Sequence, residues 1–315
     1  MTKHELKATP ETVHWGYFEA TLKPVLTIAS GDEITVETIS GGPEHLPPAA
    51  RKLAHLPEHA AIHAKVARPG VGPHIMTGPI AVKGAKAGHV LQIEFLAIEP
   101  RQEWGYALIH PLGGALAGDF PEPRMHHIPI DLKRKVGKLP FGGEIALKPF
   151  FGNIGVAPPE SWGRISSMIP RRHGGNLDNK ELVPGTTLFL PVLHEGALLS
   201  IGDGHGVQGD GEVCLTAIET ALRGRFKVTL RTDLSLKMPR AETPTHMITM
   251  AFDPDLDVAA KNALRDMIDV IAKARGIDRE DAYILCSLAA DLRITQMVNT
   301  HNGAHVMLEK GYLKG

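Results

Sequence analysis

Ala197-Leu198-Leu199-Ser200-Ile201-Gly202-Asp203-Gly204-His205-Gly206-Val207-Gln208-Gly209-Asp210-Gly211-Glu212 decides how this 315-residue chain reads. Leu198 to Ile201 is a continuous apolar-rich run, the pattern of a strand buried on both faces. The segment 202–212 follows it directly and carries five glycines, so the backbone can turn sharply and approach a ligand closely. Between the glycines stand two Asp, one Glu, one His and one Gln. Asp203 and His205 offer oxygen and nitrogen ligands two residues apart, and the remaining carboxylates are available for proton transfer. The same residues would also suit a hairpin in which Asp and Gly serve turn geometry alone. Against that stands Val213–Glu219, read as a second core segment; polar groups wedged between core segments are costly unless partnered.

Working outward, short strand-like runs fill the first two thirds of the chain. Glu33–Ile39 alternates with period two, and Pro24–Ile28, Ala81-Val82, His89–Phe95 and Leu188–Val192 are similar runs between Gly and Pro turns. The chain holds 33 Gly and 24 Pro, too many for a helical protein, and they are too well mixed with Val, Ile and Leu for disorder. Residues 41–73, rich in Pro, Gly, Ala and His, read as a long irregular excursion covering part of the site. After about residue 220 the character changes. Phe226–Arg231 and Thr245–Met250 read as strands, and Asp257–Arg275 has helical spacing with Gly276 as its C-terminal cap. Asp278 then caps a second helix over 282–289. The expected fold is mainly β with a C-terminal α+β portion, divided into 1–220 with the site loops and 221–315 packed closely on it.

The net charge of −1 gives no electrostatic footprint for nucleic acid or anionic membrane. No apolar run is long enough for a membrane helix, and the charged N-terminus lacks a secretory h-region, so the expected location is cytoplasmic. The two cysteines form no CxxC pair, and Cys214 reads as a buried structural thiol. Most of the 17 histidines read as surface or turn residues.

Two further loops carry chemistry-bearing residues. In Arg171–Asp178, Asn176 can donate to a developing oxyanion, while His173 or Asp178 can bind metal or shuttle a proton. In Gly72–Pro79, rigid Pro and Gly flank His74 and Thr77, which can face a ligand. His126-His127 would point to opposite faces of a strand and so is discounted as a ligand pair. No Gly-x-Ser-x-Gly elbow is present.

In order along the chain, Thr77-Gly78-Pro79, the Gly84–Gly88 turn, His173-Gly174-Gly175-Asn176-x-Asp178, the 202–212 segment and Ala217-Ile218-Glu219 resemble the acetamidase/formamidase family, over about residues 14 to 310. The resemblance implies a β-sandwich-like core, a smaller β-barrel-like part, a homo-oligomer, and hydrolysis of a short amide to acid and ammonia. It also implies a divalent metal, with zinc first and calcium second. On this scheme Asp203 and His205 bind the metal, and Asp210 or Glu219 completes the shell. Glu212 or His173 is general base, Asn176 holds the carbonyl oxygen, Asp178 shares the catalytic work, and His74, Thr77 and Gln208 contact substrate. The alternatives are a hydrolase of another small carbonyl compound and a metal-dependent ligand-binding β-sandwich without catalysis. Gly88-His89 departs from the family's usual Gly-Asp.

Overall fold

The computed structural model describes residues 1–314. It is mainly β. A nine-stranded sheet and a six-stranded sheet pack face to face, with the largest apolar cluster between them. Ile34, Ile93, Leu190 and Phe226 enter that core from the larger sheet, and Ile80, Phe151, Leu199 and Ile201 from the smaller one. In the nine-stranded sheet Leu222–Arg231 pairs antiparallel with both Asp32–Glu37 and Val90–Pro100. This sheet therefore runs through residue 220 and joins the C-terminal strands to the N-terminal ones.

The six-stranded sheet contains the site. Its order is Gly174–Asn176, Phe150–Gly155, Leu199–His205, Ile75–Val82 and Val13–Trp15, with Leu26–Ile28 pairing parallel to Ile75–Val82. Every residue of Leu199–His205 is buried, as a strand covered on both faces requires. A separate four-stranded antiparallel sheet runs Glu144–Ala146, Val136–Lys138, Arg124–Asp131 and Trp104–Ile109.

At the C-terminal end, strands His246–Asp253 and Asn302–Glu309 alternate sides. Ile248, Met250 and Met307 face the main core, while Ala251, Val306 and Leu308 meet the helices. Those helices are Leu256–Arg275 and Arg279–Ala289. Asp255 caps the first through the Asp257 and Val258 amides, Gly276 ends it at φ 66°, and Asp278 caps the second through the Asp281 amide. None of the described helices is long and apolar enough to cross a membrane.

Three expectations are corrected. The 41–73 excursion contains a helix, Pro57–Lys65, which starts on a proline at its first turn. Val213–Glu219 is a loop rather than a core strand: Val213 is exposed, Leu215 sits at φ 80°, and Glu219 pairs only through single bridges to Tyr106 and His205. Cys214 lies in that loop and is exposed, its thiol directed at the Leu108 carbonyl.

Candidate active site

Asp203 and His205 stand at the end of Leu199–His205, where glycines alternate with the polar residues. A Cβ at Gly202 would meet the Ile75 carbonyl at 2.4 Å, and one at Gly204 the Thr220 carbonyl at 2.4 Å. Glycine is what lets the neighbouring backbones close on this strand. His205 Nε2 lies 3.4 Å from Asp203 Oδ2 and 3.4 Å from Glu219 Oε1, with Glu212 Oε1 at 3.9 Å and Asp178 Oδ1 at 4.0 Å. Four carboxylates thus surround one imidazole, and all five residues are buried.

The backbone is bent to bring them together. Asp178, Asp203 and Glu212 all occupy the left-handed region, at φ 45°, 58° and 45°. Non-glycine residues rarely sit there, and such strain concentrates at functional sites. Gly152, on the adjacent strand, completes the convergence. A Cβ there would lie 2.5 Å from Asp203 Oδ2, 2.6 Å from Asp178 Oδ1 and 2.9 Å from His205 Cε1.

Polar residues outside the cluster orient it. Gln208 Oε1 accepts from His205 Nδ1 at 2.9 Å, which turns Nε2 toward the acids. Gln208 Nε2 donates to the Asp178 carbonyl at 2.7 Å. Asn299 Nδ2 donates to Asp178 Oδ2 at 2.8 Å, while the buried Asp178 Oδ1 has no hydrogen-bond partner. Asn153 Nδ2 donates to Asn176 Oδ1 and reaches Asp203 Oδ2 at 3.3 Å. His74 places Nε2 3.7 Å from Asp203 Oδ2 and Nδ1 3.0 Å from Ser167 Oγ. This resembles a Ser-His-Asp line, but Ser167 is fully buried and lies outside the cavity.

Electrostatics follow from burial and crowding. Burial, reinforced by Asp203 and partly offset by His205, pushes the Asp178 carboxyl up to about 6. Burial raises Glu212 and Glu219 well above the carboxylate range, each with neighbouring carboxylates adding to the rise. Burial also opposes ionisation of Asp203, yet the pull of His74 and His205 holds it below its ordinary value. For His205 burial disfavours the charge, but Glu219 and Asp203 outweigh it and raise the imidazole well above normal.

This cluster suits a cation. Asp178, Asp203 and His205 each present a ligand atom within 4.8 Å of the others, and so do His205, Glu212 and Glu219. Oxygen and imidazole donors together fit zinc, and carboxylates alone fit harder ions.

A cavity of ≈ 680 Å³ opens onto the cluster; its lining includes the buried Asn176, Asp203, His205, Glu212 and Glu219, and the half-buried Asn299. Tyr106 lines it too. Its backbone exchanges both hydrogen bonds with Glu219, so the two side chains stand on one face. Its ring stacks on His45 at 4.8 Å. Part of the wall comes from the 41–73 excursion, through Glu44, His45, Arg68 and Gly70 to Pro73.

The structure gathers Asn176, Asp178, Asp203, His205, Glu212, Glu219 and His74 and leaves others apart. His173 is fully buried between Phe18 and Trp162, its ring nitrogens unpartnered, and burial drives its pKa to about 3. Asp210 points outward to Lys180 at 2.8 Å. Thr77 Oγ1 is spent on the Glu37 carbonyl at 2.7 Å, and Gln208 lies behind His205 rather than on the cavity. His127 binds the His45 carbonyl at 2.9 Å, away from the acids. Gly152, Asn153, Tyr106 and Asn299 belong to the site without having been read from the sequence. The Phe-Phe-Gly-Asn run at 150–153 held a signal, a glycine and an amide inside an apolar strand.

The acetamidase/formamidase family model matches residues 64–164 and 164–309. A formamidase from Methylophilus methylotrophus is 29% identical over 301 residues, spanning 73% of this chain and 74% of that protein. The crystal structure of an acetamidase from Bacillus halodurans is 31% identical, with a TM-score of 0.84 and 98% of each chain covered. That of a predicted acetamidase/formamidase from Thermoanaerobacter tengcongensis is 30% identical, with a TM-score of 0.85, over 99% of this chain and 97% of that one. Together with the buried acid cluster at the end of a cavity, these similarities define a hydrolase acting on the C–N bonds of linear amides. The chain belongs to the acetamidase/formamidase family.

Proposed function

We propose that the chain hydrolyses an aliphatic primary amide to the carboxylic acid and ammonia, with a divalent cation, zinc first, held by Asp178, Asp203 and His205. The observation that carries the reading is the convergence of four buried carboxylates on His205 Nε2, with Asp203, Glu212 and Glu219 among them lining the cavity. Gly152 favours the Asp178–Asp203–His205 set, because its missing side chain leaves that space free.

A cation there would supply Lewis-acid polarisation and lower the pKa of water. The protein's own residues supply the rest. Asn176 gives its Oδ1 to Asn153, so its Nδ2 is available to donate to the substrate carbonyl oxygen. The Tyr106 hydroxyl, on the same wall, is a second donor. Glu212 lines the cavity too; a cation's charge would offset the burial that raises its carboxyl, and in its ionised form it takes the proton of the attacking water. A carbon–oxygen bond forms, the carbon–nitrogen bond breaks, and Glu212 returns the proton to the departing nitrogen. Asn299 and Gln208 hold Asp178 and His205 in place.

Ammonia release from formamide, acetamide and longer amides tests this, measured before chelation, after it, and after zinc is restored. Turnover lost on chelation and regained with zinc is the expected result. Turnover indifferent to chelation would remove the cation from the scheme, and no turnover on any amide would remove the activity.

A further inference from the structure

We infer that the acyl group taken by this site is longer and more apolar than formyl or acetyl, about the size of hexanoyl or phenylacetyl. The inference rests on the amide-hydrolase reading above and concerns what fills the cavity beyond the reacting carbonyl.

Size is the first observation. Acetamide has four heavy atoms and displaces about four water volumes, roughly 120 Å³ at ~30 Å³ each. The cavity holds ≈ 680 Å³. Cavities of some hundreds of cubic ångströms enclose ligands much larger than acetamide.

The wall is the second. The apolar part of the lining includes Val71, Leu108, Leu112, Met168 and Leu215. Two of these are held at a cost. Leu112 sits at φ 62° and Leu215 at φ 80°, a region leucine rarely enters. Leu112 is also 86% exposed, so its apolar side chain is presented to water at the mouth. The loops bearing them touch: the Ala115 amide donates to the Val213 carbonyl at 2.9 Å, and a Cβ on Gly113 would meet Leu215 Cδ2 at 2.8 Å. Strain and exposure concentrated at one cavity mouth fit a surface kept for an apolar ligand.

Charge is the third. Arg68 Nη2 lies 2.7 Å from Glu44 Oε1, so this pair on the wall satisfies itself and offers no free charge to an acyl group bearing a carboxylate or ammonium. The class is therefore an uncharged amide with an alkyl or arylalkyl chain. The chain lies along the leucines, and the carboxamide reaches Asn176 and the acids.

Each methylene buried in an apolar wall contributes about fourfold to the specificity constant. From acetamide to hexanamide kcat/KM should rise on the order of a hundredfold. The experiment compares kcat/KM for formamide, acetamide, butyramide, hexanamide and phenylacetamide on the zinc-loaded full chain. It is repeated on Leu112→Asn and Leu215→Asn, because asparagine tolerates the left-handed backbone and removes only the apolar surface. The expected result is a rise with chain length and a hexanamide-to-acetamide ratio that falls severalfold or more in each variant. A kcat/KM greatest for formamide or acetamide, or a ratio unmoved in both variants, would overturn the inference while leaving amide hydrolysis intact. Hydrolysis of none of the five would instead overturn the activity itself, and this inference with it.

Discussion

Asn299 donates to Asp178 Oδ2 at 2.8 Å across 121 residues of sequence. The bond leaves Oδ1 alone facing the cluster. Asn299 sits in a loop stapled by Gln296, whose Oε1 accepts from the Val298 and Asn299 amides. Asn299→Ala should weaken zinc affinity by roughly ten- to a hundredfold, the usual effect of losing an outer partner of a ligand. A competition titration against a chromogenic chelator reads this, and unchanged affinity would separate Asn299 from the cation.

Gly152→Ala places a methyl group within 3 Å of three site residues. Neither the strand nor its φ forbids alanine, so the strain falls on the site. Overpacking of this kind costs about 1–3 kcal/mol. Metal content by elemental analysis should fall to background, with a folded far-ultraviolet spectrum retained. A variant that loads zinc normally would contradict the assigned ligand set.

Tyr106→Phe keeps the ring that stacks on His45 and deletes only the hydroxyl. If that hydroxyl holds the carbonyl oxygen in the transition state, kcat falls by about a hundredfold while zinc affinity is unchanged. Equal kcat in the two proteins would assign Tyr106 to packing.

Stability should depend on pH through histidines buried as neutral rings. Burial lowers His14, His59 and His305 to about 4 and His173 to about 3. Their folded values lie below the unfolded value near 6.5, so below that pH the unfolded chain takes up protons the folded chain refuses. Stability is then full above about pH 6.5 and falls as pH drops from there toward 4 and 3. For His173 the loss at pH 5 is on the order of 2 kcal/mol. His173→Phe, packed between Phe18 and Trp162, should flatten part of the fall in urea midpoint between pH 8 and pH 5. A parallel fall in both proteins would deny His173 that role.

The legible parts of the fold were those coded locally. Period-two runs such as Phe226–Arg231 lie in strands, and the Asp278 and Gly276 caps lie where their chemistry places them. Val213–Glu219 misled because it is an irregular loop, with Val213 exposed and Leu215 lining the cavity, although Ala217 and Ile218 within it are buried. In the site, Asp203 and His205 announced themselves by spacing among glycines. His173 and Asp210 carried the same local signal, and only the packing of Phe18 and the reach of Lys180 separate them from the cluster. Asn299 and Tyr106 had no local mark, since tertiary pairing alone brings them to the acids.

The span between Asp178 and Asn299 also sets an order of assembly. A chain leaving the ribosome presents Asp178, Asp203, His205, Glu212 and Glu219 well before residue 299 emerges. Until then Asp178 lacks the amide that orients it, and Leu222–Arg231 lies in a sheet whose later strands are still unmade. The acid cluster is therefore completed late in synthesis, and a nascent chain carries its acids without their final geometry.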